Sequence, residues 1–186
     1  MASFINLLVL SFFTLTVGAA PTTRDIGNYG NFSDYCMWPM YIDNPGNPTV
    51  TFDADCSSIK GGAGFSAQLA NSQLDFNECF VNKGGILMPW KGGNAMKTCT
   101  CKIGLSACPD LPGGCPNTWM RCECHNGTPN TITVSKFDLG DYVGVTWSPE
   151  HQNNLLVCPA PNGDTIAKYQ GCSKDGVTSP IDKCPS

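Results

Sequence analysis

The chain has 186 residues, with 20 glycines, 14 prolines, 12 cysteines and only 14% charged side chains. That length suits one domain or two small ones with a modest core, and low charge with abundant Gly and Pro excludes a helical bundle or coiled coil. The net charge is −4, and Lys and Arg are scattered singly along the sequence; no nucleic-acid partner is expected, because such binders carry a clustered basic face.

Residues 3–17 form an uncharged apolar run followed by Gly18, Ala19 and Ala20. This reads as a signal peptide over 1–19, cut after Ala19 because Pro21 disfavours cleavage directly before it. A membrane anchor is the competing reading, but the run falls short of the about 20 residues that span a bilayer and has no positive flank. A secreted, extracellular chain without a membrane partner is expected, with 20–28 as a linker.

From there on the signals are β. Val50–Cys56 alternates apolar and polar residues as a half-buried strand does, and Asp75–Phe80 suggests a turn. Asn82–Gly85 is a turn ahead of Ile86–Met88, so a hairpin is expected there. Thr131–Val134 and Asn154–Cys158 are short apolar strands bounded by Asn, Gly and Pro. The fold class is all-β.

One offset recurs when the sequence is slid against itself. Asn31 and Asn94 lie 63 apart, as do Cys36 and Cys99, and SQLDFNE pairs with SKFDLGD at the same offset, setting Asp75 over Asp138. Two separated motifs at one offset mark an internal repeat, with copies at 31–90 and 94–158 and an unmatched tail at 159–186. The second copy carries a cysteine-containing insertion near Cys108 and Cys115 and about six extra residues at Thr146–His151 before its closing strand. Asp75 and Asp138, at equivalent positions, are expected to accept backbone N–H bonds in a repeated turn or cap.

All twelve cysteines follow the leader. Cys99-Thr-Cys101 and Cys122-Glu-Cys124 resemble zinc-ligand pairs, but a single intervening residue is short for zinc, and an oxidising compartment favours disulfides. No metal or cofactor is expected.

The strings NFSDYC36, VTFDADC56 and SQLDFNEC79FVNKGGIL87, followed by GGNAMKTC99, MRCEC124, SKFDLGDY and NNLLVC158, resemble the cyanovirin-N homology family in its secreted fungal form. The resemblance covers residues 29–158. It implies two tandem repeats that exchange strands into one elongated, pseudo-symmetric, disulfide-rich β domain. It further implies a lectin that binds mannose-rich oligosaccharides or glycoproteins through shallow polar pockets, as a monomer or a domain-swapped dimer. Twelve cysteines allow about ten thousand connectivities; on the family frame the pairs are Cys36–Cys56, Cys79–Cys158, Cys99–Cys124, Cys101–Cys122, Cys108–Cys115 and Cys172–Cys184.

Carried over position by position, the family's better pocket comprises Asn82, Gly84, Gly93, Asn94, Lys97, Thr98, His125 and Asn126. Gly84 departs from the acidic residue usual there and removes an acceptor. The second pocket would comprise Asn31, Asp34, Tyr35, Ser57, Ser58, His151 and Asn153, with Thr146–His151 inserted into its closing loop. Such neutral amides and hydroxyls suit sugars, because each net hydrogen bond contributes only about 0.5–1.5 kcal/mol and several must converge. Asn31-Phe-Ser33 and Asn126-Gly-Thr128 are N-glycosylation sequons beside these pockets. Asp53 and Asp55 share a strand face as a glycosidase pair would, but adjacent acids on a strand are usually a solvated face; no enzyme is expected. The alternative to a lectin is a secreted structural or interaction protein, wall-associated or effector-like, whose sugar sites have decayed.

Overall fold

The computed structural model describes residues 29–41, 50–61, 69–107, 118–128, 131–174 and 177–179. The expected signal peptide and linker, Cys108–Cys115 and Cys184 lie outside the described residues. Strands dominate: β1 (Gly30–Asn31), β2 (Cys36–Tyr41), β3 (Thr51–Cys56), β4 (Leu69–Asp75), β5 (Phe80–Lys83), β6 (Ile86–Pro89), β7 (Cys99–Ile103), β8 (Trp119–His125), β9 (Ile132–Asp138), β10 (Gly144–Ser148), β11 (Asn153–Cys158), β12 (Thr165–Ile166), β13 (Lys168–Lys174) and β14 (Val177–Ser179). The alternation of residues 51–56 is realised in β3, where Phe52, Ala54 and Cys56 are buried and Thr51, Asp53 and Asp55 are half-buried. The protein is a disulfide-rich all-β fold.

Two antiparallel three-stranded units, β2-β3-β4 and β7-β8-β9, are laid out alike. Cys36 lies opposite Cys56 in one and Cys99 opposite Cys124 in the other. A short helical turn precedes each first strand, Phe32–Tyr35 after Asn31 and Ala95–Lys97 after Asn94. The turns that leave the third strands also correspond. Asp75 accepts the amide of Asn77 at 2.8 Å and Asp138 accepts that of Gly140 at 2.9 Å, as expected for a repeated Asx turn. The Phe76 carbonyl then takes the amides of Cys79 and Phe80, and the Leu139 carbonyl takes those of Tyr142 and Val143, again 63 positions on.

The two hairpins pack on different three-stranded units. The β10–β11 hairpin lies against β3 and β4: the Leu156 amide donates to Ser72 Oγ at 2.9 Å and Asn154 Nδ2 donates to the Ser57 carbonyl at 2.7 Å. All six residues of β11 are buried. The β5–β6 hairpin lies instead against β8 and β9. The register is reciprocal. Asn31 pairs with Gly144 and Asn94 bridges Val81, each member of one pair lying 63 positions from its counterpart in the other.

A chain of aromatic contacts links the two units. Phe32 packs on Phe52, Phe52 on Phe76, Phe76 on Phe80 and Phe80 on Phe137 and Tyr142, with centroids 5.4 to 6.3 Å apart. Four of these rings are essentially inaccessible to solvent, and each buries a large apolar surface. Four disulfides reinforce the frame at the pairs the resemblance implied: Cys36–Cys56, Cys79–Cys158, Cys99–Cys124 and Cys101–Cys122. Cys79–Cys158 ties the turn after β4 to the end of β11, segments 79 residues apart. Cys172 is also disulfide-bonded.

Two sequence expectations need correction. As far as it is described, the segment after Cys158 is no appended tail: β12 pairs with β11, and β13 extends the β2-β3-β4 sheet by pairing with β4. It is sewn to the rest through Tyr29 and Asp164, through Thr165 Oγ1 to the Glu78 carbonyl, and through a reciprocal Lys91–Asn162 pair. A domain boundary at 158 would leave the β4 edge unpaired, and paired edges are the stable arrangement. The inserted Thr146–His151 is also not all loop. Thr146–Ser148 lengthen β10 and only 149–152 form the turn, because Ser148 pairs with Asn153.

Candidate functional site

The expected first pocket is organised by Asn82 on β5. Its Nδ2 donates to Thr98 Oγ1 at 2.8 Å and to the His125 carbonyl at 2.7 Å, while its Oδ1 accepts the Gly85 amide at 2.8 Å. One side chain therefore clamps the β5–β6 turn to the start of β7 and the end of β8. Lys83 pairs with Ile86, leaving a two-residue turn at Gly84 and Gly85 with φ of 62° and 90°, the left-handed geometry of a tight hairpin turn. The turn is thus two residues shorter than the expected 82–85. Gly85 is also needed for space: a Cβ there would come within 2.5 Å of Thr133 Oγ1 and 2.9 Å of Asn126 Cβ.

Asn82, Gly84, Thr98, His125 and Asn126 are thereby gathered at one end of the β7-β8-β9 sheet. Asn94 and Lys97 sit on the adjoining turn, both exposed. Asn94 adopts a left-handed φ of 53°, which Asn tolerates better than most residues, and its Nδ2 donates to the Gly92 carbonyl at 3.1 Å. Among the described residues, no contact is seen for its Oδ1 or for the Lys97 ammonium. Gly93 serves packing, since a Cβ there would lie 2.4 Å from the Phe80 carbonyl oxygen. Asn126 Oδ1 accepts the Thr128 amide at 2.9 Å, within its own sequon turn.

Most residues of the second expected pocket are buried or engaged in structural contacts. Ser57 and Asn153 are each only 2% exposed, so both are corrected from ligand contacts to structural groups: Ser57 Oγ accepts the Ile59 amide and Asn153 Oδ1 accepts the Asn154 amide. Asn31 caps the following turn, its Oδ1 taking both the amide and the hydroxyl of Ser33. Asp34 is paired with Lys60 at 2.9 Å, an exposed contact. The Tyr35 ring is pressed against Gly30, where a Cβ would come within 2.6 Å of it. His151 stacks on Tyr169 of β13, with centroids 3.9 Å apart and planes 11° from parallel. Ser58 alone of the set is both exposed and without a structural contact among those described.

Asp53 and Asp55 do share the β3 face, but in different surroundings. Asp55 Oδ1 accepts Asn71 Nδ2 at 2.9 Å, whereas Asp53 Oδ1 has no partner among the described residues. Burial, with Asp55 adding repulsion and Gln73 opposing through a hydrogen bond, raises the Asp53 carboxyl above its ordinary value. The C-x-C cysteines are bonded to each other across β7 and β8, and among the described residues no cluster of His, Cys, Asp and Glu would hold a metal ion. Among the same residues no helix is long and apolar enough to cross a membrane. A scan against protein-family models and a search of curated proteins each found no match.

Proposed function

We propose that the chain is a secreted carbohydrate-binding protein of the cyanovirin-N type, in which two tandem repeats exchange hairpins and the Asn82–Thr98–His125 end takes a mannose-rich glycan. The observation that carries the reading is the reciprocal register of Asn31 with Gly144 and Asn94 with Val81, the relation that two copies exchanging hairpins about a pseudo-two-fold axis would produce. Four disulfides agree with an oxidising, extracellular setting. At the sugar end, Asn94 Oδ1, Lys97, Thr98, Asn126 and the surrounding backbone would supply hydroxyl partners on a frame that Asn82 holds fixed. Preorganisation of that kind lowers the ordering cost of binding.

Titration with a mannose-rich oligosaccharide tests the reading. Asn94→Gly removes the side chain without straining the left-handed backbone. Losing one hydrogen bond of about 0.5–1.5 kcal/mol should weaken the complex about 2- to 10-fold. Asp34→Ala, at the other end, should change affinity little. Loss of binding in Asp34→Ala with retention in Asn94→Gly would reverse the assignment of the functional end. A specific observation favours a second reading, a structural or interaction module without sugar binding: the Asn82 amide is consumed internally and the second pocket's Ser57 and Asn153 are buried. Absence of binding by the folded parent protein would select it.

A further inference from the structure

The basic residues that look scattered in sequence are not scattered on the sheet. Lys102 on β7 lies directly opposite Arg121 on β8, and Arg121 directly opposite Lys136 on β9. Cross-strand partners share a face, and the residues alternating with them, Cys101, Met120 and Cys122, are buried, so the three cations stand in one row on the outer face. Like charges directly opposite each other weaken a sheet. The only ion pair within the row's reach among the described residues is Arg121 with Glu123 at 2.5 Å; Lys102 and Lys136 have no carboxylate partner there.

The other three-stranded unit shows that the architecture does not require it. Three residues before Cys56 stands Asp53, where three residues before Cys124 stands Arg121, and Asp53 is flanked by Met40 and Gln73 rather than by lysines. The basic row is therefore particular to one end of a chain whose net charge is −4. Towards the Thr98–His125 end, the same face carries Thr100, Glu123 and Val134, then His125 and Ile132. Val134 and Ile132 are about half exposed.

We propose that Lys102, Arg121 and Lys136 form an anion-binding site for an acidic glycan, sulfated or phosphorylated, that runs along the outer face of β7-β8-β9. The row offers three cations across three strands, about 10 Å at strand spacing, and the Arg121 guanidinium can grip a sulfate or phosphate with two parallel N–H bonds. Val134 and Ile132 supply apolar surface for the C–H faces of sugar rings. The described aromatic rings of this face are Trp119, which is only partly exposed and packs on Ala107, and His125 at the far end of β8, too sparse a set for successive base stacking. The site does not depend on sugar binding at the Asn82 end.

The mature full-length protein would be titrated at about 0.15 M salt, where exposed charges are screened beyond about 8 Å. The probes are a heparin-derived octasaccharide, a phosphorylated mannan, a neutral mannose-rich oligosaccharide, and vesicles of mixed phosphatidylserine and phosphatidylcholine. The parent should bind at least one acidic glycan, and which one identifies the anion. Lys102→Gln/Arg121→Gln/Lys136→Gln should lose about tenfold or more of that affinity, the scale of one charge-assisted bond. Lys102→Gln/Lys136→Gln, which spares the Arg121–Glu123 pair, should lose part of it. Lys60→Gln/Lys91→Gln/Lys168→Gln, with the same change in net charge, should bind as the parent does. Equal loss in that control, no binding of either acidic glycan by the parent, or row-dependent binding of vesicles alone would each overturn the proposal. Neutral oligosaccharide binding should be the same in the parent and in the variants of the row.

Discussion

Replacing Asn82 with alanine separates a structural clamp from a sugar contact. The substitution removes two donated bonds, to Thr98 Oγ1 and the His125 carbonyl, and one accepted from the Gly85 amide. The residue is half-buried, so water can replace part of what is lost. Three bonds at the lower end of about 0.5–1.5 kcal/mol each give a cost of about 1.5–3 kcal/mol. For a chain of this size, 1 kcal/mol moves the melting midpoint by about 2–4 °C, so Asn82→Ala should melt roughly 3–12 °C below the parent. The midpoint would be followed by circular dichroism under oxidising conditions, with the disulfides verified by mass. Asn82→Asp should be at least as damaging, since it keeps the acceptor for Gly85 but sets a carboxylate against the His125 carbonyl. An unchanged midpoint with lost glycan affinity would refute the clamp and make Asn82 a ligand contact.

Three further outcomes are expected. Residues 21–90 alone lack the β7-β8-β9 sheet on which β5–β6 rests and should show no cooperative thermal transition; a folded monomeric fragment with dispersed amide resonances would contradict hairpin exchange. Truncation after Cys158 should lower the midpoint and produce concentration-dependent association in sedimentation, because it uncovers the β4 edge. A truncated chain that stays monomeric with the parent's midpoint would show that β13 contributes little. Asp53→Asn should stabilise the protein at neutral pH and not in acid, as thermal midpoints across a pH series would show.

The features readable from sequence are those with a short period or a local cause. Strand β3 announces itself by alternation, the Asp75 and Asp138 turns by an acidic side chain two residues before the amide it accepts, and the β5–β6 turn by paired glycines. Disulfide pairing needed the family frame, because spacing cannot choose among so many connectivities. What stayed hidden depends on distant partners. Strand β13 has little apolar alternation of its own and owes its extended form to the free edge of β4, roughly a hundred residues earlier. Asn82 has the same amide whether it faces a sugar or the His125 carbonyl, so residue type could not assign its role. The basic row was equally invisible, since Lys102, Arg121 and Lys136 are neighbours only in register.

Asp53 occupies the position in its sheet that Arg121 occupies in the other, and its electrostatics run in the opposite sense. Burial is the main reason its carboxyl lies above the ordinary value, with Asp55 on the same face adding to it and the Gln73 hydrogen bond acting against it. A raised carboxyl takes up its proton in the folded state at a pH where the unfolded chain has already released it. Between the two values the folded state holds more protons, so stability falls as pH rises through that window, and the full penalty is present above it. Asp53→Asn abolishes this titration and keeps an amide able to face Gln73. Its gain over the parent should therefore be complete above the folded carboxyl's value and vanish below the unfolded carboxyl's value, where both residues are neutral. The difference between the two proteins reports Asp53 together with its coupling to Asp55 on the same face. A difference that is constant with pH would mean that shape, not charge, decides the site; a less stable variant at pH 7 would mean that the ionised carboxylate has a favourable partner.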